Sequence, residues 1–210
     1  MDEPGADRDA AAREGRRRVV AAGHRGDLEV VEAARDDLDP AVRAAVLGAL
    51  ERSGALGAAD VVRALEDADP VVRHRAAVLA ARVGGPGSRS LLPRALVVGL
   101  GDEDALVAEA AAWALGERSV SAAVPELAAM ATGHPEPRCR ESAVAALGAI
   151  GDPGGLRAVL GALGDRPAIR RRAVIALVGF DDPEVEPALE RCLEDPDWQV
   201  REAAEVLLER

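Results

Sequence analysis

From residue 42 onward, apolar positions recur at the spacing of an α-helix and then restart, again and again. The first complete stripe is Val42, Ala45 or Val46, Ala49 and Leu50, an i, i+3, i+4, i+7, i+8 pattern that places one apolar face on a helix. A later stripe is Cys139, Ala143, Ala146, Leu147 and Ile150. Each stripe is opened by a related pentapeptide. Asp39-Pro40-Ala41-Val42-Arg43, Asp69-Pro70-Val71-Val72-Arg73, Glu136-Pro137-Arg138-Cys139-Arg140 and Arg166-Pro167-Ala168-Ile169-Arg170 align directly. Asp197-Trp198-Gln199-Val200-Arg201 has Trp in place of Pro, and Asp104-Ala105-Leu106-Val107-Ala108 has lost both Pro and Arg. The fifth positions stand at 43, 73, 108, 140, 170 and 201, steps of 30, 35, 32, 30 and 31 residues. A period near 30 residues is the mark of a repeat architecture.

The opening residues have a physical logic. Asp39 and Asp69 are N-caps whose carboxylates accept an orphan backbone N–H at the positive end of a helix. Pro at the next position costs no hydrogen bond, since that N–H has no partner inside the helix. Gly54, Gly84 and Gly151 punctuate the C-terminal ends. A second, shorter helix follows in each unit, over 58–66, 89–99, 122–130, 155–163 and 184–193. It runs into an acidic turn such as Asp67-Ala68-Asp69 that opens the next unit. Residues 8–38 read as a degenerate opening helix pair, residues 1–7 as a tail, and residues 39–210 as one continuous array. The total is about 13 helices in about six pairs.

Composition narrows the picture. The chain has no Lys, Tyr or Asn, and all 26 basic residues are Arg. That skew suggests a GC-rich, bacterial coding bias and a strong helical preference, because Ala, Leu, Arg and Glu are good helix formers. A formal net charge of −11 opposes non-specific association with nucleic acid or anionic lipid. Cys139 and Cys192 both fall at apolar positions and read as buried thiols. The first residues lack the apolar run of a signal peptide, and no stretch reaches the roughly 18 uninterrupted apolar residues of a membrane span. Cytoplasmic residence is the expectation.

The pattern Asp-Pro-x-Val-Arg-x-x-Ala-Ala-x-Ala-Leu-Gly resembles the HEAT-repeat family, in its short bacterial form named after phycobilin-lyase subunits. Ala111-Ala112-Trp113-Ala114-Leu115-Gly116 and Ala143-Val144-Ala145-Ala146-Leu147-Gly148 carry its second half. The resemblance covers residues 39–210 well and 8–38 loosely. It implies an all-α, right-handed α-solenoid whose motif helices line a concave face. It also implies a ladder in which motif Asp and Arg bond between neighbouring units, with Asp39, Arg43, Asp69, Arg73, Arg140, Arg170, Asp197 and Arg201 as rungs.

Solenoids bind along their concave surface. The residues expected there are His74, Arg75, Val78 and Arg82, then Glu109, Trp113 and Glu117, then Arg138 and Glu141, then Arg171 and Arg172. Trp113 fills a slot held by Gly48, Val78, Ala145, Ile175 and Val206 elsewhere. It reads either as a binding anchor or as a filler over rows of Ala. The charges read either as a mixed-charge groove or as a solvated face with i,i+4 pairs. The third unit carries the longest spacing and a Gly84-Gly85-Pro86-Gly87 connection, either a functional irregularity or a neutral insertion. Trp198 either shields the last helix or supports end-to-end self-association; a monomer is the expectation.

Catalytic signatures are missing. There is no nucleophile elbow, phosphate loop or metal spacing. The three His are followed by Arg25, Arg75 and Pro135, not by the Glu that a deoxyhypusine hydroxylase needs for its irons. A HEAT-like DNA glycosylase needs a basic, aromatic face, and the charge and scarce aromatics oppose it. No metal or cofactor is expected. The leading expectation is a scaffold that holds a protein or peptide segment. The alternative is a lyase-like accessory or small-ligand-binding subunit.

Overall fold

The computed structural model describes residues 4–209 of the chain, with side chains from residue 10 onward. Among the described residues there are 13 α-helices and no strands. In chain order they are α1 (Pro4–Arg25), α2 (Leu28–Glu32), α3 (Pro40–Arg52), α4 (Ala58–Leu65), α5 (Pro70–Ala80), α6 (Leu92–Gly99) and α7 (Ala105–Glu117). Then come α8 (Val124–Gly133), α9 (Pro137–Ile150), α10 (Leu156–Ala162), α11 (Pro167–Ala176), α12 (Val185–Cys192) and α13 (Trp198–Leu208). The all-α repeat fold is the one the periodicity predicts.

Local chemistry sets the helix starts. Ala41, Val71, Leu106 and Gln199 donate their N–H to the carboxylates of Asp39 (2.7 Å), Asp69 (2.9 Å), Asp104 (2.8 Å) and Asp197 (2.9 Å). Those four caps open α3, α5, α7 and α13. Glu136 and Arg166, ahead of α9 and α11, make no such bond, and Pro at the first helical position does the work there. Gly151 ends α9 with φ +67°, a left-handed cap that costs glycine little. After α5 the left-handed residue is Gly85 (φ +79°), not the expected Gly84. Helix α1 starts at Pro4, so residues 4–7 of the expected tail are helical, while residues 1–3 lie outside the described residues. α6 starts at Leu92, three residues later than expected, because residues 88–91 form turns after the glycine-rich connection.

The chain forms two compact units, residues 1–95 and 96–210, with the boundary inside α6. In the first, α1, α3 and α5 lie side by side, with α2 and α4 packed behind them. Val19, Val31, Val42, Val46, Ala49 and Leu50 are the centre of its core. In the second, α7, α9, α11 and α13 form the same kind of row, backed by α8, α10 and α12. Leu115, Leu127, Leu147, Ile169 and Leu177 are fully buried there.

Small residues set how close the row helices approach. A Cβ on Gly116 would stand 2.8 Å from Ala146 Cα, and one on Gly148 would stand 2.6 Å from Ala176 Cα. In the first unit Gly23 meets Ala49 in the same way, at 2.9 Å from its Cα. Each glycine therefore stands where any side chain would spread two helices.

Candidate functional site

Two sets of charged residues run across the rows of helices, one at the turns and one on the outer face of the motif helices. The turn set is built on an aspartate one or two residues ahead of the cap. Asp67 Oδ1 accepts the Asp69 N–H at 2.9 Å, which fixes the carboxylate in the turn. Arg43, on the preceding motif helix, then donates Nη2 to Oδ1 (2.7 Å) and Nε to Oδ2 (2.8 Å) of the same group. Arg140 holds Asp165 through 2.6 and 2.9 Å bonds, and Arg170 holds Asp195 through 2.8 and 2.7 Å bonds. The remaining nitrogen of each motif arginine donates to carbonyls of its own turn. Arg43 Nη1 reaches Asp37 O (2.8 Å), Arg73 reaches Asp67 O (3.0 Å), Arg140 reaches His134 O (2.9 Å), and Arg201 reaches Asp195 O (2.7 Å).

This corrects the expected ladder. Its arginines Arg43, Arg140 and Arg170 are rungs, but Asp39, Asp69 and Asp197 are not their partners. Those carboxylates are turned back onto their own helix starts, and the free carboxylate of each turn is the earlier one. The arginine forks hold Asp67, Asp165 and Asp195 below the usual carboxylate range, outweighing the opposing effect of burial. One further bridge was missed by the sequence reading: Arg35 Nη1, in the turn after α2, meets Asp60 Oδ1 of α4 at 2.6 Å. Its signal is only an Asp near the start of a second helix, which is too common to single out. At the turn before α9 the ladder changes at both partners. Ala108 replaces the arginine and His134 replaces the aspartate, and the imidazole Nδ1 accepts the Glu136 N–H at 3.1 Å.

The face set holds the predicted binding residues. In the first unit His74, Arg75, Val78 and Arg82 lie on or just beyond α5, with Arg82 exposed and the others half-buried. The Arg75 guanidinium lies over Gly48, its Nη2 3.0 Å from where a Cβ would stand, and pairs with Glu51 at 3.3 Å. In the second unit Arg138 pairs with Glu109 at 3.7 Å, and Arg172 with Glu141 at 3.5 Å. These pairs join neighbouring helices rather than i,i+4 positions of one helix. Trp113 is half-buried, while Glu117 and Arg171 are exposed.

Arg171 opens onto a hollow of about 500 Å³ between α11 and α13. Ile175, Val178, Val206 and Leu207 make its apolar wall, and Glu202 stands on the α13 side. Ile175, Val178 and Val206 are 43 %, 59 % and 48 % exposed, an unusual density of open aliphatic surface. Ile175 and Val206 were legible as slot residues. Val178 and Leu207 were not, because they sit past the regular part of α11 and near the end of α13.

The two thiols offer no reactive group. Cys139 is buried and donates to Ala105 O at 3.3 Å, and burial pushes it up to about 11. Burial raises Cys192 as well. A thiol held protonated is a poor nucleophile. Among the described residues no cluster of three His, Cys, Asp or Glu is placed to hold a metal, and no helix is long and apolar enough to cross a membrane.

Rows of paired helices, closely packed through small residues and stitched at their turns, define an α-helical repeat protein. The chain belongs to the HEAT-repeat family: the family model for HEAT repeats matches residues 93–168 and 162–208. No curated protein sequence matches it. Among solved structures it is similar to YibA of Escherichia coli, with a TM-score of 0.62 at 17 % identity over 84 % of this chain and 67 % of that one. It is also similar to a designed armadillo repeat protein solved in complex with a (KR)4 peptide, with a TM-score of 0.61 at 19 % identity over 85 % and 96 %. The CpcE–CpcF complex of phycocyanin lyase from a Nostoc species gives a TM-score of 0.59 at 17 % identity over 73 % and 98 %. At these identities the likeness is one of fold.

Proposed function

We propose that the chain is a non-catalytic interaction scaffold that holds a protein or peptide segment on the concave, solvent-facing side of its motif helices. The observation that carries this reading is the open aliphatic hollow between α11 and α13, rimmed by Arg171 and Glu202. An aliphatic side chain of a partner would fill the hollow, and the neighbouring charges would fix its direction. Trp113, Arg138, Glu141 and Arg172 extend the same face along the second unit. The designed armadillo neighbour, solved with a peptide, supports a peptide as the kind of ligand. The reading takes the array of residues 39–210 as one binding module, monomeric, in the cytoplasm, with no nucleic-acid partner.

The test is a quantitative pull-down from native lysate with wild type, Val206→Glu and Trp113→Ala, each shown by circular dichroism to be equally folded. A partner captured by the wild type and lost on Val206→Glu is the expected result. A partner that also weakens on Trp113→Ala makes the tryptophan an anchor. Partners indifferent to both changes would move binding off this face. A lyase-like accessory role, suggested by the likeness to CpcE–CpcF, would instead bring down a coloured small ligand.

A further inference from the structure

The turn ladder contains its own calibration of what a turn aspartate binds. Asp67, Asp165 and Asp195 each have one oxygen on a backbone N–H of the turn, and each takes an arginine fork from the preceding helix. Asp37 is built the same way. Its Oδ1 accepts the Asp39 N–H at 2.9 Å, and Arg43 sits on its carbonyl at 2.8 Å, as Arg73 sits on the carbonyl of Asp67. Yet among the described residues no arginine fork reaches the Asp37 carboxylate.

The register of α1 explains the vacancy. Gly148 packs on Ala176 and Gly116 on Ala146, and Gly23 packs on Ala49 in the same manner. Eight residues before Gly148 stands the rung Arg140, and eight before Gly116 stands Ala108. Eight before Gly23 stands Gly15, which has no side chain to send to Asp37. A hollow of about 600 Å³ opens there, lined by Ala11, Ala12, Leu38, Pro40 and Val42 with Asp37. Leu38 at its lip is 98 % exposed. The two interrupted rungs differ in one respect. Where Ala108 removes the donor, the acceptor is gone too, replaced by His134. Where Gly15 removes the donor, the acceptor is kept, oriented, and given an open space among the described residues.

We propose that this notch is a receptor for an arginine side chain of a partner segment, which would supply the missing fork of the first rung. A planar guanidinium matches a fixed carboxylate through two parallel bonds, and an ammonium does not. The aliphatic stem of the arginine would run along Ala12, Pro40 and Val42, and Leu38 would cover it. The site lies in the first unit and is independent of the hollow between α11 and α13, so either reading can fail without the other.

The experiment uses the full chain and two probes, N-acetyl-arginine amide and N-acetyl-lysine amide, followed by NMR on the backbone of residues 37–39. The arginine probe is expected to shift those signals at concentrations several-fold lower than the lysine probe. Asp37→Asn should abolish the shifts while keeping the turn, because the amide oxygen can still accept the Asp39 N–H. Gly15→Arg should fill the notch from inside, block the probe, and melt at higher temperature than Gly15→Ala, the control for helix propensity. Equal response to the two probes, shifts that survive Asp37→Asn, no shifts at all, or a Gly15→Arg chain no more stable than Gly15→Ala would each overturn the proposal.

Discussion

The same pair of groups, a guanidinium and a carboxylate, is used in two places with opposite consequences. At the turns the partners meet at 2.6–2.7 Å and are only 10–20 % exposed. On the outer face they meet at 3.3–3.7 Å and are 34–55 % exposed. The difference lies in preorganisation. A turn aspartate is held by a backbone N–H before the arginine arrives, and the arginine is held by carbonyls of its own turn. A face glutamate and a face arginine are both long, free side chains that must each lose rotamer freedom to pair. The turn ladder therefore sets the register of neighbouring helices, and the face pairs stay long and solvated.

The largest effect on this contrast is expected from changing the helix spacing on which both sets depend. Gly148→Leu forces a side chain into the backbone of α11 at Ala176. Overpacking of this kind costs on the order of 3 kcal/mol, against about 1 kcal/mol regained by removing a helical glycine. A net melting decrease of several degrees, with the helical signal before melting unchanged, is the outcome for thermal unfolding by circular dichroism. A smaller loss than for a ladder variant would mean that the turns, not the small-residue contact, set the spacing.

Next in size is the ladder itself. Arg170→Met leaves Asp195 half-buried with only its turn N–H, and losing such a partly solvated charged hydrogen-bond pair costs about 1.5 kcal/mol. The pH dependence identifies the cause. Asp195 is held below its ordinary value of 3.8 by the Arg170 fork, so its folded state prefers the charged form. The stability it contributes is fully present above that ordinary value and is lost as the pH falls through the lower, folded one. The gap between wild type and Arg170→Met is therefore expected to be constant from pH 7 to about pH 5 and to close below about pH 4. A gap that persisted in acid would assign the loss to packing of the arginine stem.

These residues also mark how far the sequence could be read. The helices, their order and their Asp-Pro starts are local, and the periodicity carried them with small errors at the ends of α1 and α6. The ladder arginines were legible for the same reason. The partners Asp67 and Asp195 were not, because Asp67-Ala68-Asp69 and Asp195-Pro196-Asp197 each contain two aspartates. Only the three-dimensional turn decides which one caps the helix and which one receives the fork. On the face, the pairs Glu109–Arg138 and Glu141–Arg172 join positions about 30 residues apart, a separation invisible to helical pairing rules. The slot of Trp113 was legible as a position, and the hollow two helices further on was legible only through Ile175 and Val206.

The smallest effect sharpens the comparison most. Glu141→Gln removes one partner of the Arg172 bridge, and both side chains are more than a third exposed. Pairs of this kind contribute at most about 0.5 kcal/mol, less in salt. The melting temperature is expected to change by no more than a degree or two, with no acid dependence of the ladder's kind. If the face exists to meet a partner, the same substitution should alter capture of that partner far more than it alters stability. A Glu141→Gln chain that loses as much stability as Arg170→Met would erase the distinction between the two sets of charges. It would make the face a second structural ladder rather than a surface held open for binding.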